Sequence, residues 1–207
     1  KRAQAEVFAH KGGRLRSVAK RMREDAEEAE EGMVEVRQED RTIRSFTIPA
    51  QEFDPYFNGK ILELQTVTVR KAGELVERTV NTVLRKGTHV LLAGPNGIGK
   101  TTLLERIARG TEPGTVIGTG VRVGYYRQDF STLDFTQTGY ENLVAVMEKP
   151  DEQKLRSTAA GFLLDGRALA STIASMSEGQ KGLLAMAQLV LMRPGLLLLD
   201  EPTNHIN

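Results

Sequence analysis

The sequence has no cysteine. That excludes a disulfide framework and any thiolate metal site, and it fits a reducing cytoplasm. No apolar run is long enough to span a bilayer, and no signal peptide is visible, so neither a membrane span nor export is expected. Net charge is +1 at pH 7, so no global basic field marks the chain for nucleic acid. Internal repeats and low-complexity stretches are also missing. What is present is ordinary for a globular protein: 207 residues, 40% hydrophobic and 27% charged, a length that suits one domain with an appendage.

The charges that cancel globally are separated locally. Lys1, Arg2, Lys11, Arg14, Arg16, Lys20, Arg21 and Arg23 occupy the first part of the N-terminal stretch, and Glu24, Asp25, Glu27, Glu28, Glu30 and Glu31 the second. Small or apolar residues recur at Phe8, Gly12, Leu15, Ala19, Met22, Ala26, Ala29 and Met33. Those spacings alternate four and three, which is a heptad seam and predicts a long charged helix over 1–34. An alanine-rich seam admits a close helical partner, and none follows in the sequence, so the partner is expected upstream. Charge runs alone usually mean only a solvated face.

Residues 35–60 read as a connecting segment, with a strand-like "TIRSFTIP" and two prolines. From Ile61 the texture changes. "ILELQTVTV" and Thr79–Leu84 read as strands, and "THVLLAG" reads as a strand leading into a glycine-rich turn and the helix "TTLLERIA". "VRVGYYRQ" reads as a further strand, Gly139–Leu169 as helix-rich, and Gln180–Met192 as a helix that turns at Gly195 into the leucine run. Alternating strands and helices predict an α/β fold with a largely parallel central sheet.

The sharpest local pattern is "GPNGIGKT", Gly94–Thr101. It matches G-x-x-x-x-G-K-[ST], with a predicted strand before it and a predicted helix after it. Gly94, Gly97 and Gly99 let the backbone bend so that successive N–H groups point at phosphate oxygens, and the helix N-terminus adds partial positive charge. Lys100 is expected on the β- and γ-phosphates of ATP and Thr101 on Mg²⁺. Pro95, Asn96, Ile98 and Thr102 complete the candidate nucleotide contact. The apolar run Leu196–Leu199 has the character of a strand buried on both faces. It would deliver Asp200 beside the phosphate loop as an outer partner of Mg²⁺, and Glu201 as the base that orients and polarises water.

"GPNGIGKT", "SMSEGQKGLLAMAQLVLMRPGLLLLDEP" and "TNH" together resemble the nucleotide-binding domain of ATP-binding cassette proteins, over Ile61–Asn207. The resemblance implies a P-loop cassette over 61–207 with a parallel central sheet, a small antiparallel β part and a helical subdomain over about 131–187. It implies that Ser177, Glu178, Gly179 and Gln180 form the signature that meets ATP held by a second cassette. It also implies that Gln128 contacts Mg²⁺ and the attacking water, so that Glu201, Gln128 and Lys100 carry the chemistry and Thr101, Gln128 and Asp200 the metal. "DEPTNH" further resembles the ABC-F group of cytoplasmic tandem-cassette ATPases, which act on the ribosome as translation or antibiotic-resistance factors. In that reading 1–34 is the returning helix of the interdomain linker, facing rRNA and tRNA. The remainder is a second cassette that stops early and is expected to be nearly inactive alone. Alternatives are the ATPase subunit of an ABC transporter and a catalytically impaired interaction module. Departures from the family pattern stand at Glu178, where glycine is usual, at Arg70 and Lys71, where an aromatic usually stacks on adenine, and at Asn207, where aspartate is usual. His205 lies too near Glu201 to be the switch histidine and is expected in the interface loop.

Overall fold

The computed structural model describes residues 42–71 and 73–202, and all but the first two of these belong to one compact unit, Arg44–Asn207. The expected linker helix over 1–34 and the residues of "TNH" and Asn207 lie outside the described residues.

Two sheets flank one helix. β1 (Lys60–Lys71) and β2 (Glu74–Arg85) form a long antiparallel hairpin, and β3 (Thr115–Ile117) pairs antiparallel with the other edge of β1. The second sheet is the parallel pair β4 (Val123–Tyr126) and β5 (Leu196–Leu199), in register from Val123 opposite Leu196 to Tyr126 opposite Leu199. A parallel pair needs a long crossover. Here it is helical: α2 (Gly139–Ala145), α3 (Glu152–Gly161), α4 (Gly166–Ala170) and α5 (Glu178–Met192). The side chains of Thr138, Asp151, Asp165 and Ser177 accept from the backbone N–H three residues on, so each helix starts at a satisfied cap.

Between the sheets lies α1 (Lys100–Ala108). Its buried residues Leu103 and Ile107 are four apart and share one face, which packs on Ile61 and Leu62 of β1 and Leu196 and Leu198 of β5. The end of α1 is tied back to β1. The carboxylate of Glu112 is fully enclosed, accepts from the Thr68 N–H at 2.6 Å and sits 3.6 Å from Arg106.

Two expected strands are not strands. Thr88–Gly94 is irregular, with Leu91 90% exposed and Val90 and Leu92 also open to solvent. The apolar run is present, but a strand must satisfy its N–H and C=O groups on a neighbour. None of the strands in β2-β1-β3 or β4-β5 pairs with it. The parallel sheet among the described residues is accordingly two strands wide. "TIRSFTIP" is instead a strap. The Arg44 N–H bonds the Gly161 carbonyl, Phe46 meets the Phe162 ring at 4.6 Å, and the Gln51 N–H reaches the Pro194 carbonyl. The Gln51 side-chain amide then bridges the Gly120 carbonyl and the Arg122 N–H.

Candidate active site

Gly94–Thr101 stands at the N-terminus of α1, as the motif requires. Gly97 and Gly99 adopt φ of 80° and 103°, a left-handed backbone that side chains resist, and Gly99 serves as the N-cap without any side-chain bond. Nothing lies within 4 Å of the place a Cβ on Gly97 would take, so its backbone conformation, not crowding, is what calls for glycine there. The Lys100 ammonium reaches back over the loop to the carbonyls of Gly94 and Pro95, at 2.9 and 3.2 Å. An ammonium has three protons, so two loop bonds leave one for a phosphate oxygen. The Ile98 carbonyl accepts from the Arg70 N–H at 2.9 Å, which docks the loop on the end of β1 and places Arg70 and Lys71 beside it. Pro95 and Asn96 are exposed, Ile98 is half-buried, and Thr101 and Thr102 are exposed in the first turn of α1.

The parallel register brings a second group of residues to one end of the β4–β5 pair. The Asp200 N–H bonds the Tyr126 carbonyl at 3.0 Å, so Asp200 leaves β5 beside the point where Gln128 leaves β4. Asp200 is buried, while Gln128 and Glu201 are exposed. Glu201 has a φ of 48°, a backbone state that costs a non-glycine residue about 1–3 kcal/mol and is concentrated at functional sites. The Tyr125 hydroxyl is enclosed without a hydrogen-bond partner, and its pKa is pushed up to about 12, by burial first and then by the negative charge of Asp200.

These residues fit a triphosphate with Mg²⁺. The loop offers a glycine bend at a helix N-terminus and a cation, and Asp200 offers one buried carboxylate. No cluster of three or more His, Cys, Asp or Glu able to hold a metal occurs among the described residues. Mg²⁺ in phosphate sites is commonly bound through one or two carboxylates, with phosphate oxygens and water filling the rest, so Asp200 would supply the carboxylate of such a site, and Thr101 and Gln128 would be its further oxygen donors. Bound there, the ion would neutralise charge on the β- and γ-phosphates.

The signature residues stand apart. Ser177 caps α5 in a reciprocal box: its hydroxyl accepts from the Gln180 N–H at 3.2 Å, and the Ser177 N–H donates to the Gln180 side chain at 3.0 Å. Ser177, Glu178, Gly179 and Gln180 are all exposed, and none makes a hydrogen bond to the phosphate loop among the described residues. Glu178 occupies the first position of the helix, where a carboxylate complements the helix dipole. Two residues beside Gln128 were not singled out from sequence. Tyr125 and Arg127 precede Gln128; the run of Arg127, Gln128 and Asp129, a polar side chain between opposite charges, is the signal that could have marked Arg127, and no such pattern marks Tyr125.

Residues 78–204 match the family model described as ABC transporter. The chain is 34% identical over 152 residues to the putative ATP-binding protein YdiF of Bacillus subtilis, covering 72% of this chain and 24% of that protein. It is 28% identical over 218 aligned positions to the probable ATP-binding protein YheS of Escherichia coli, covering 99% of this chain and 33% of that protein. With ABC transporter F family member 3 of Arabidopsis thaliana it shares 34% over 139 residues, covering 65% and 19%. The chain thus spans between about a fifth and a third of these relatives' length. Among solved structures, the dimeric bacterial ABC transporter cassette MJ0796 superposes with a TM-score of 0.56 at 21% identity, over 71% of this chain and 76% of that one. A bacterial Atm1-family ABC exporter with ATP bound gives 0.57 at 17%, over 86% and 36%. At such identities the likeness establishes the fold alone, a P-loop cassette.

Proposed function

The chain belongs to the ABC transporter family of ATP-binding cassettes, and from that premise we propose that it is the second cassette of an ABC-F-type ATPase that acts on the ribosome. The observation that carries the ATPase reading is the phosphate loop at the head of α1, with Lys100 held at its mouth and its third proton free. Thr101, Asp200 and Gln128 hold Mg²⁺ in this reading, and the exposed Glu201 polarises the attacking water. Ser177–Gln180 face outward at a helix N-terminus, which suits donation to the γ-phosphate of ATP on a second cassette. The likeness to a dimeric cassette supports such a pairing. One cassette then supplies half of each of two sites, so the 207-residue chain by itself is expected to turn over ATP very slowly. Turnover at ordinary ATPase rates by this chain alone would exclude that arrangement.

The translation arm rests on the likeness to an ABC transporter F family member and on the charge pattern of Lys1–Met33, whose basic half suits RNA phosphates. No helix among the described residues is long and apolar enough to cross a membrane. The test is co-sedimentation of the full-length protein carrying Glu201→Gln with 70S ribosomes, with and without ATP. ATP-dependent pelleting is expected. Failure to pellet in both conditions, with ATP binding intact, would move the assignment to a transporter ATPase subunit.

A further inference from the structure

We propose that Arg127 is a positioning residue for Gln128, clamping the turn that carries Gln128 onto the helix that the phosphate loop opens. The proposal rests on the reading of Gln128 given above. Gln128 is exposed, and its side chain makes no hydrogen bond among the described residues, so its place is set by its backbone. That backbone is a tight turn in which the Phe130 N–H donates to the Arg127 carbonyl at 3.1 Å.

Arg127 holds the turn on both sides of Gln128. Its Nη2 donates to the Asp129 carboxylate at 3.0 Å, immediately beyond Gln128. Its Nη1 donates to the Glu105 carboxylate at 3.1 Å, and Glu105 lies on α1. The guanidinium carbon lies 5.8 Å from the centre of the Tyr125 ring. The ends of the clamp are fixed in turn. Glu105 also accepts from Arg109 at 2.7 Å, and Asp129 accepts from the Ser131 N–H and hydroxyl at 3.1 and 2.8 Å. Only 18% of the Arg127 side chain and 27% of that of Glu105 are exposed, so solvent screens this pair less than a surface pair. The planar guanidinium serves two carboxylates at once, which an ammonium does not reproduce.

The clamp links Lys100 and Thr101 at the head of α1 to Gln128 at the end of β4. A shift of the phosphate loop is therefore transmitted to Gln128 through one ion pair. Misplacing a group near the chemistry by about 1 Å costs on the order of 100-fold in rate.

The test is steady-state ATPase kinetics of the full-length protein over a Mg²⁺ series for Arg127→Ala, Glu105→Gln, Gln128→Ala and the double variant Arg127→Ala/Gln128→Ala, with melting temperatures alongside. Arg127→Ala is expected to lower kcat roughly 10- to 100-fold with KM for ATP little changed. In the Gln128→Ala background it is expected to remove nothing further, because it acts through Gln128. Glu105→Gln, which keeps the shape and removes the charge, shows the same pattern in weaker form and serves if Arg127→Ala fails to fold. Equal losses with and without Gln128, or losses that only follow melting temperature, would overturn the proposal and leave the role of Gln128 standing. No loss in Gln128→Ala itself would overturn both.

Discussion

The phosphate loop and the signature turn both present polar groups at the N-terminus of a helix, yet they are supported in opposite ways. α5 enters the interior directly after its cap, and Leu184, Ala185, Ala187, Leu189 and Leu191 are buried along it. The segment before the phosphate loop is as apolar in sequence, but Val90, Leu91 and Leu92 face solvent. A helix satisfies its backbone within itself and needs only one packed face. A strand needs partners on its edges before its side chains are placed. The phosphate loop is therefore held from one side, by α1 and the end of β1, while the signature turn is held by the whole of α5.

The largest test of that contrast compares two leucines. Leu184→Ala is expected to cost about 2–5 kcal/mol of stability in urea unfolding, as truncation of a fully buried leucine does. Leu91→Ala is expected to stay within about 0.5 kcal/mol. Equal losses at both would show that the 88–94 segment is buried in solution. A glycine pair sharpens the point. A Cβ on Gly124 would lie 2.8 Å from Leu189 Cδ2 and 2.9 Å from Pro194 Cβ, so Gly124→Ala is expected to cost about 1–3 kcal/mol through overpacking. Gly97→Ala meets no atom, but its left-handed backbone resists a side chain, at about 1–2 kcal/mol. It is expected to weaken binding of a fluorescent ATP analogue far more than Gly124→Ala does. Next in size is Ser177→Ala, which removes the cap of α5 at about 1 kcal/mol, read from the melting temperature.

The smallest effect is one of pH. The Glu141 carboxyl is held below the usual glutamate range by the Thr138 N–H and then the Thr138 hydroxyl, in the capping box of α2. A depressed carboxyl stabilises the fold above its unfolded pKa, about 4.3, and loses that contribution as pH falls through the lowered folded value. An NMR titration should find Glu141 below the usual value in the wild type and returned toward it in Thr138→Ala. Because Thr138→Ala keeps the N–H and removes only the hydroxyl, the return is expected to be partial, and an unchanged value would remove the hydroxyl as a contributor.

Much of the candidate site was legible because it is written in contiguous residues. Gly94–Thr101 states its own geometry, and Ser177 with Gln180 states a capping box that the structure forms. The strands of the hairpin and the helices of the crossover follow from β-branched runs, caps and helix formers. What was illegible depends on partners distant in sequence. The strand expected at Thr88–Gly94 reads correctly as an apolar run and fails for lack of a neighbour. "TIRSFTIP" alternates like a strand and becomes a strap, where Arg44 meets the Gly161 carbonyl, Phe46 meets the Phe162 ring and Gln51, just beyond it, meets the Pro194 carbonyl.

By itself, then, the sequence determined the phosphate loop, the caps, the helical crossover and membership of a cassette family, because local backbone chemistry and short-range periodicity specify each of these. Only the tertiary structure decided that Asp200 and Gln128 emerge together, since that depends on the register of β4 against β5. It alone brought Glu105 to Arg127 and left Leu91 in water. Ion pairs and edge pairing belong to residues that chain order keeps apart, and they exist only once the sheets and α1 have packed.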